Sequence, residues 1–237
     1  MTARDYFDRV YVINLPDRPD RLRAVVRELD RAGLPLAPGR VEVFPAVRPD
    51  AAAGFPTPGS RGCFLSHLGV VRAARSAGAR NVLIVEDDLA VAPQFRSSEP
   101  AVVDRLRAED WGFVYLGHVA GPDHAGLAAL VPVTKPLMTT HFVGVNGPVF
   151  DRFIAFLEAL PDRPAGHADG GPMSIDGAYS TFRAQNPDVL TLMAVPNLGR
   201  QRSSRSDVAP PRWFDRAPGL RHLAAAARSA KVRLLGH

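Results

Sequence analysis

Apolar runs and amphipathic stretches alternate along the first half of the chain. Residues 10–15, VYVINL, are apolar at nearly every position, which predicts a strand buried on both faces. Asp17 and Pro19 supply a cap and a helix-opening proline. The stretch 21–32 then places Leu22, Val25, Val26 and Leu29 on one helix face, and Gly33 closes it. VEVF at 41–44 predicts a second strand, and the Pro-, Gly- and Ala-rich stretch 46–60 predicts a loop. Helical spacing runs from Gly62 to Gly78. NVLIV at 81–85 is the strongest strand signal, and it leads directly into Glu86, Asp87 and Asp88. Beyond it the pattern predicts a capped helix at 98–108 and a strand at 111–117, then strand-like pieces within 118–146 and a helix at 147–160. A loop at 161–172, a helix at 175–184 and a strand at 189–195 follow; 197–217 reads as irregular and 218–237 as an amphipathic basic helix. This order predicts an α/β fold, an open mixed sheet flanked by helices. One domain is expected over 1–217, with the last helix appended and ligands at the carboxyl ends of strands.

Composition narrows the class. A chain of 237 residues buries a core without cross-links. Its single cysteine, Cys63, excludes an intrachain disulfide and a zinc or iron–sulfur site built on cysteines, and reads as a small core residue. The N-terminal stretch carries charges and no apolar h-region, and no apolar run approaches the ~20 residues of a membrane span. The expectation is a cytoplasmic protein, with peripheral contact to the membrane left open. The net charge is +5. Basic and acidic residues are interspersed through most of the chain, without the basic face and stacking aromatics of a nucleic-acid binder. The exception is the C-terminal part, which is basic and whose last helix is expected either to dock on anionic membrane or to pack on the domain.

Candidate chemistry centres on Glu86-Asp87-Asp88. Three carboxylates at the end of an apolar strand repel one another; either a divalent cation neutralises them or they form a solvated acidic turn. No GxxxxGK[ST], GxGxxG after a strand, GxSxG or HExxH is present, so P-loop, dinucleotide, serine-hydrolase and zincin chemistries have no footing. VLIVEDD and the later TKPL also echo receiver domains, but no aspartate ends the strand between them and the spacing is about half of what that fold needs.

Five blocks occur in order: VYVINLPDRPDRL, RGCFLSHLGVVRAA, VLIVEDDLAV, SIDGAYSTF and PNLGRQRSSRSD. Together they resemble, over roughly residues 8–210, the glycosyltransferase family 25 proteins of lipopolysaccharide biosynthesis and the related collagen galactosyltransferases. The resemblance implies a GT-A-like, Rossmannoid sheet and a nucleotide-sugar donor, often UDP-galactose. It also implies a divalent metal (manganese or magnesium), inversion at the anomeric carbon, and a glycan or lipid-linked glycan acceptor. By the same resemblance Glu86 and Asp88 hold the metal, and Asp87 serves as a further ligand or meets the ribose. Asn14, Arg18, Arg21, Ser66, His67, Gln201 and Asp207 lie near the donor. Asp176, at a helix start behind the Gly-rich loop, is the expected base. Each residue also has a structural reading: Asn14 as a strand-end turn, His67 as a hydrogen-bonded core histidine, Asp176 as a helix cap and the arginines as solvated charges. The sequence departs from the family in its Pro-Asp-Arg after the first strand and in the Gly/Pro-rich loop 161–172. A non-catalytic sugar-nucleotide or glycan binder and a membrane-surface scaffold remain as alternative functions.

Overall fold

The computed structural model describes residues 1–119 and 126–202. A four-residue helix α1 (Ala3–Tyr6) opens the chain, followed by β1 (Arg9–Asn14), α2 (Pro19–Arg31), β2 (Val41–Pro45), α3 (Pro58–Ser76) and β3 (Asn81–Glu86). Next come β4 (Leu89–Val91), α4 (Phe95–Ala108), β5 (Trp111–Gly117), β6 (Ala129–Pro132) and β7 (Phe142–Asn146). The described part ends with α5 (Phe150–Ala159), α6 (Ile175–Gln185), β8 (Leu190–Val195) and β9 (Gly199–Gln201). All the strands join one mixed sheet of order β2-β1-β3-β7-β5-β8-β6, with β9 pairing β4 and β5 at its margin. β1 runs parallel to both β2 and β3, whereas β7 is antiparallel to β3 and β5. The sheet is open and mixed, and helices cover both faces, as the alternation in the sequence predicts.

The central strands are continuously apolar because each face has its own core. Val10 and Val12 of β1 and Leu83 and Val85 of β3 pack with Val25 and Leu29 of α2 and with Phe95, Val102 and Leu106 of α4. On the opposite face Ile13, Val82 and Ile84 meet Phe64, Leu68 and Val71 of α3, Phe153 and Leu157 of α5, and Tyr179 and Phe182 of α6. α2 thus lies over one face on the way from β1 to β2, and α3 lies over the other on the return to β3. The carboxyl ends of β1 and β3 stay side by side, with Ile13 opposite Glu86. Crevices of this kind are where open α/β sheets bind ligands.

Several boundaries differ from the sequence expectation. α3 begins at Pro58, four residues before Gly62, because Thr57 caps it by accepting a hydrogen bond from the Ser60 amide. Ser98 does not cap a helix. It lies inside α4, which starts at Phe95 and continues through Pro100, and its hydroxyl accepts a bond from the Ala128 amide at 2.9 Å. Burial of Phe95 against Phe142 extends that helix past the propensity signal. The stretch 147–160 splits into a 3₁₀ turn (Gly147–Val149) and α5. Residues 199–201 form a strand where irregular chain was expected, since β9 pairs with β4. The expected helix at 218–237, and with it the boundary at 217, lies outside the described residues.

Candidate active site

A pocket of about 530 Å³ opens beyond the carboxyl ends of β1 and β3. Seven of the residues singled out in the sequence line it: Arg21, Ser66, Glu86, Asp87, Asp88, Asp176 and Gln201. They come from α2, α3, the end of β3, the β3–β4 turn, α6 and β9, so the site exists only when the whole sheet has formed. Asn14 and His67 are buried behind this wall. Arg18 stands at the N-cap of α2 and pairs with Asp20. Asp207 lies outside the described residues.

The three acidic residues have different surroundings. Asp87 is buried and fully engaged: Arg21 Nη1 donates to Oδ1 at 2.8 Å, and Asn14 Nδ2 donates to Oδ2 at 2.8 Å. Asn14 also donates to the Arg18 carbonyl, tying the end of β1 to the start of α2. Asn14 and Arg21 therefore fix the acidic turn. Glu86 Oε1 accepts from His67 Nε2 at 3.2 Å and from Thr140 Oγ1 at 3.1 Å, with Cys63 Sγ at 3.9 Å. Burial opposes ionisation of Glu86, yet the His67 hydrogen bond, the histidine charges and the Thr140 bond hold its pKa below the ordinary glutamate value. With the imidazole hydrogen on Nε2, the Tyr179 hydroxyl donates to Nδ1 at 3.3 Å.

Asp88 is the unsatisfied member. Its Oδ1 is buried and has no hydrogen-bond partner among the described residues. Burial, reinforced by the neighbouring charge of Glu86 and opposed by Arg21 and Arg202, pushes its pKa up to about 7. A buried carboxylate oxygen without a partner is costly, and a cation is the partner that best suits it. Asp88 thus fits a divalent metal, Glu86 precedes it by two residues at the end of β3, and each oxygen of Asp87 already accepts one hydrogen bond.

Backbone contacts hold this arrangement from two sides. The Arg202 amide donates to the Asp88 carbonyl at 2.6 Å and its guanidinium to the Asp87 carbonyl, so the end of β9 clamps the turn. Across the pocket, Ser66 donates to the Gly62 carbonyl at 2.7 Å and accepts from the Val47 amide at 2.9 Å. That bond seats the pocket wall at 46–50 on α3 and uses both hydrogen-bonding directions of the hydroxyl. Asp176, in the first turn of α6, accepts from the Gly177 amide at 3.0 Å and faces the same pocket as Asp88.

The sequence reading missed Thr139, Thr140, Ser60 and Tyr179. Thr139 takes a positive φ of 72° and, like Ser60, lines the pocket with a buried hydroxyl lacking a partner among the described residues. A threonine held in that conformation stores strain of the kind found at ligand sites. No periodicity sets these residues apart: Thr139 and Thr140 owe their place to the turn that precedes β7, Ser60 lies in the first turn of α3, and Tyr179 reaches His67 from α6.

Known proteins resemble this chain over part of its length. No protein-family model matches the chain. A human protein named inactive glycosyltransferase 25 family member 3 is 30% identical over 129 residues, covering 47% of this chain and 22% of that protein. A glycosyltransferase 25 family member of Drosophila melanogaster is 29% identical over 132 residues, 46% and 21% of the two chains. Human procollagen galactosyltransferase 2 is 27% identical over 129 residues, 47% and 21%. The match thus spans about a fifth of the length of these relatives. Among solved structures, a glycosyltransferase involved in glycosylation of the major capsid of PBCV-1 superposes with a TM-score of 0.51 at 10% identity, over 83% of this chain and 93% of that one. The fold is accordingly GT-A-like, and no helix among the described residues is long and apolar enough to cross a membrane. Over about half of its length the chain is thus similar to proteins named glycosyltransferase 25 family members and procollagen galactosyltransferases, in keeping with the resemblance the sequence blocks carry.

Proposed function

We propose that the protein is a metal-dependent inverting glycosyltransferase that moves a sugar, galactose by analogy with the procollagen enzymes, from a nucleoside diphosphate donor to a hydroxyl of a glycan or lipid-linked glycan. The observation that carries this reading is the convergence on one pocket, at the end of β3, of the Asp176 carboxylate and an Asp88 oxygen that has no partner among the described residues. Asp88 and Glu86 would hold manganese or magnesium, which neutralises the donor diphosphate and the departing nucleotide. The protein's own groups do the rest. Asn14 and Arg21 keep Asp87 fixed, so the turn presents Asp88 without rearrangement. Asp176 accepts the proton of the attacking hydroxyl, and the fixed pocket aligns that oxygen with the anomeric carbon.

Thermal unfolding with nucleotide sugars, with and without manganese, tests the donor half. A donor at a hundred times its Kd adds about 2.7 kcal/mol of stability. UDP-galactose is expected to stabilise wild type only when manganese is present, and to leave a folded Asp88→Ala protein unmoved. Stabilisation that survives chelation would overturn the metal reading. For the transfer step, Asp176→Asn is expected to lower turnover by ~10²–10⁴ while donor affinity stays near that of wild type. Turnover within a few-fold of wild type would leave Asp176 as a structural residue of α6.

Similarity to the human inactive glycosyltransferase 25 family member 3 favours a second reading, a non-catalytic donor or glycan binder on the same fold. Donor hydrolysis in the presence of manganese separates the two, because a pure binder saturates without releasing nucleotide.

A further inference from the structure

A lone cysteine rules out a zinc site made of cysteines but permits a mixed one, and here the fold assembles a mixed set of donors. Cys63 and His67 are four positions apart on α3 and share a helix face, and Glu86 meets both from the end of β3. Cys63 Sγ, a ring nitrogen of His67 and a carboxylate oxygen of Glu86 all lie within 4.8 Å of one another. Two edges of that triangle are shorter: His67 Nε2 to Glu86 Oε1 is 3.2 Å, and Cys63 Sγ to the same oxygen is 3.9 Å. Ligands held at 2.0–2.3 Å around a tetrahedral zinc ion stand about 3.3–3.6 Å apart, so side-chain movements of well under an ångström to about one ångström close the set.

We propose that Cys63, His67 and Glu86 form a binding site for a zinc-class divalent cation, separate from the donor-diphosphate cation at Asp88 and sharing only Glu86 with it. The donor types make the distinction. Thiolate and imidazole select zinc, cobalt and their neighbours, whereas carboxylate and phosphate oxygens suit magnesium and manganese. The supporting groups of a metal site are also in place. The Tyr179 hydroxyl lies 3.3 Å from His67 Nδ1 and fixes the ring, and Thr140 Oγ1 lies 3.1 Å from Glu86 Oε1 and fixes the carboxylate. Cys63 and Glu86 both line the pocket, which gives the ion an entry path and leaves the fourth coordination position facing the cavity.

Proton balance follows from the hydrogen bonds. On binding, the thiol proton leaves to solvent. His67 would bind through Nε2 with its ring hydrogen on Nδ1, and the Tyr179 hydroxyl would then accept that hydrogen. Without a cation the thiol stays protonated, because burial and the charges of Glu86, Asp88 and Asp176 push its pKa well above the ordinary cysteine value. The same carboxylates draw a cation inward. The site itself does not depend on the glycosyl-transfer reading; its consequence for that reading is that zinc, by occupying Glu86, inhibits manganese-dependent transfer.

Cobalt is the probe. The full chain, stripped with chelator and free of nucleotide, is titrated with cobalt(II) and followed by absorption. The expected result is a set of visible tetrahedral bands together with a near-ultraviolet thiolate-to-cobalt band, saturating at one ion per chain. Zinc bleaches both, and a large excess of magnesium bleaches neither. Since Cys63 is the only cysteine in the sequence, the charge-transfer band reports that residue alone. Cys63→Ser, its fold checked by circular dichroism, is expected to lose the band, and Asp88→Asn to keep it. No charge-transfer band at saturating cobalt, or a band that persists in Cys63→Ser, overturns the site. Loss of the band in Asp88→Asn overturns its separateness from the diphosphate cation. Failure of manganese-dependent donor binding in the same preparation counts against the proposed transferase and leaves the cobalt result standing.

Discussion

At the scale of single residues, the acidic triplet shows how far chemistry can be read from sequence. The sequence shows three carboxylates that require compensation, and it cannot distribute the partners among them. The fold gives Arg21 and Asn14 to Asp87, His67 and Thr140 to Glu86, and nothing among the described residues to Asp88 Oδ1. Asn14 and Arg21 were legible as residues of the site, but not as the clamp on a neighbouring side chain, because the contact spans 66–73 positions. The unsatisfied carboxylate has a consequence for stability. Asp88 moves from 3.8 to about 7 on folding, so between those values the folded protein keeps a proton that the unfolded chain has released. Stability of the metal-free protein therefore falls as pH rises through that window, and the loss persists above it. Asp88→Asn removes the charge that causes the loss. Calorimetry across pH is expected to find the metal-free variant more stable than wild type at mildly alkaline pH, with the difference fading below about pH 4. Manganese is expected to stabilise only wild type. A variant that is less stable than metal-free wild type under alkaline conditions would show that the Asp88 charge has a partner in solution.

At the scale of elements, what was legible depended on length and burial. β1, β3 and β5 are largely apolar strands of six or seven residues with a core on each face, and their pattern alone identified them. β4 and β9 have three residues each and form only because Leu89 pairs with Gln201 across the chain, so no local signal marks either. The start of α3 was missed for a related reason. Gly62 looked like a helix boundary, but the structure uses it as the fifth residue of that helix to let another segment approach. A Cβ there would lie 2.4 Å from the Val47 carbonyl oxygen, so only glycine lets the pocket wall settle on α3 next to the Ser66 bond. Two effects oppose each other in Gly62→Ala: helix propensity favours alanine by ~1 kcal/mol, while overpacking against backbone typically costs about 1–3 kcal/mol. The contact is with a main-chain atom that cannot rotate away, so the net change is expected to be a loss of stability in urea unfolding together with weaker donor binding. A stabilised variant would mean that the 46–50 segment shifts freely, and that its place in the pocket wall is not fixed by α3.

At the scale of the whole molecule, charge is distributed as unevenly as the chemistry. Residues 1–199 carry 20 basic and 22 acidic side chains, and 200–237 carry nine basic and two acidic ones. The body of the protein is thus close to neutral, and its net charge of +5 arises from the last 38 residues. The pocket, by contrast, collects Glu86, Asp87, Asp88 and Asp176. On the proposed transferase reading, an anionic nucleotide sugar would depend on a cation and on local arginines for binding and would gain little from the charge of the molecule as a whole. The basic segment suits a different partner. Arg216, Arg221, Arg228, Lys231 and Arg233 accompany Leu220, Leu223, Ala227 and Leu234, and we propose that they hold the protein at an anionic membrane where a lipid-linked acceptor is presented. Each basic residue near such a surface contributes about 1 kcal/mol, so a few together give reversible, salt-sensitive association. Co-sedimentation with phosphatidylserine-containing vesicles checks this, comparing the full chain with one ending near Pro211. The full chain is expected to pellet at low salt and to release at high salt, and the shortened chain to remain in the supernatant at both. Equal behaviour of the two chains would assign these residues to the domain surface, where the leucines pack on protein and the arginines only face water.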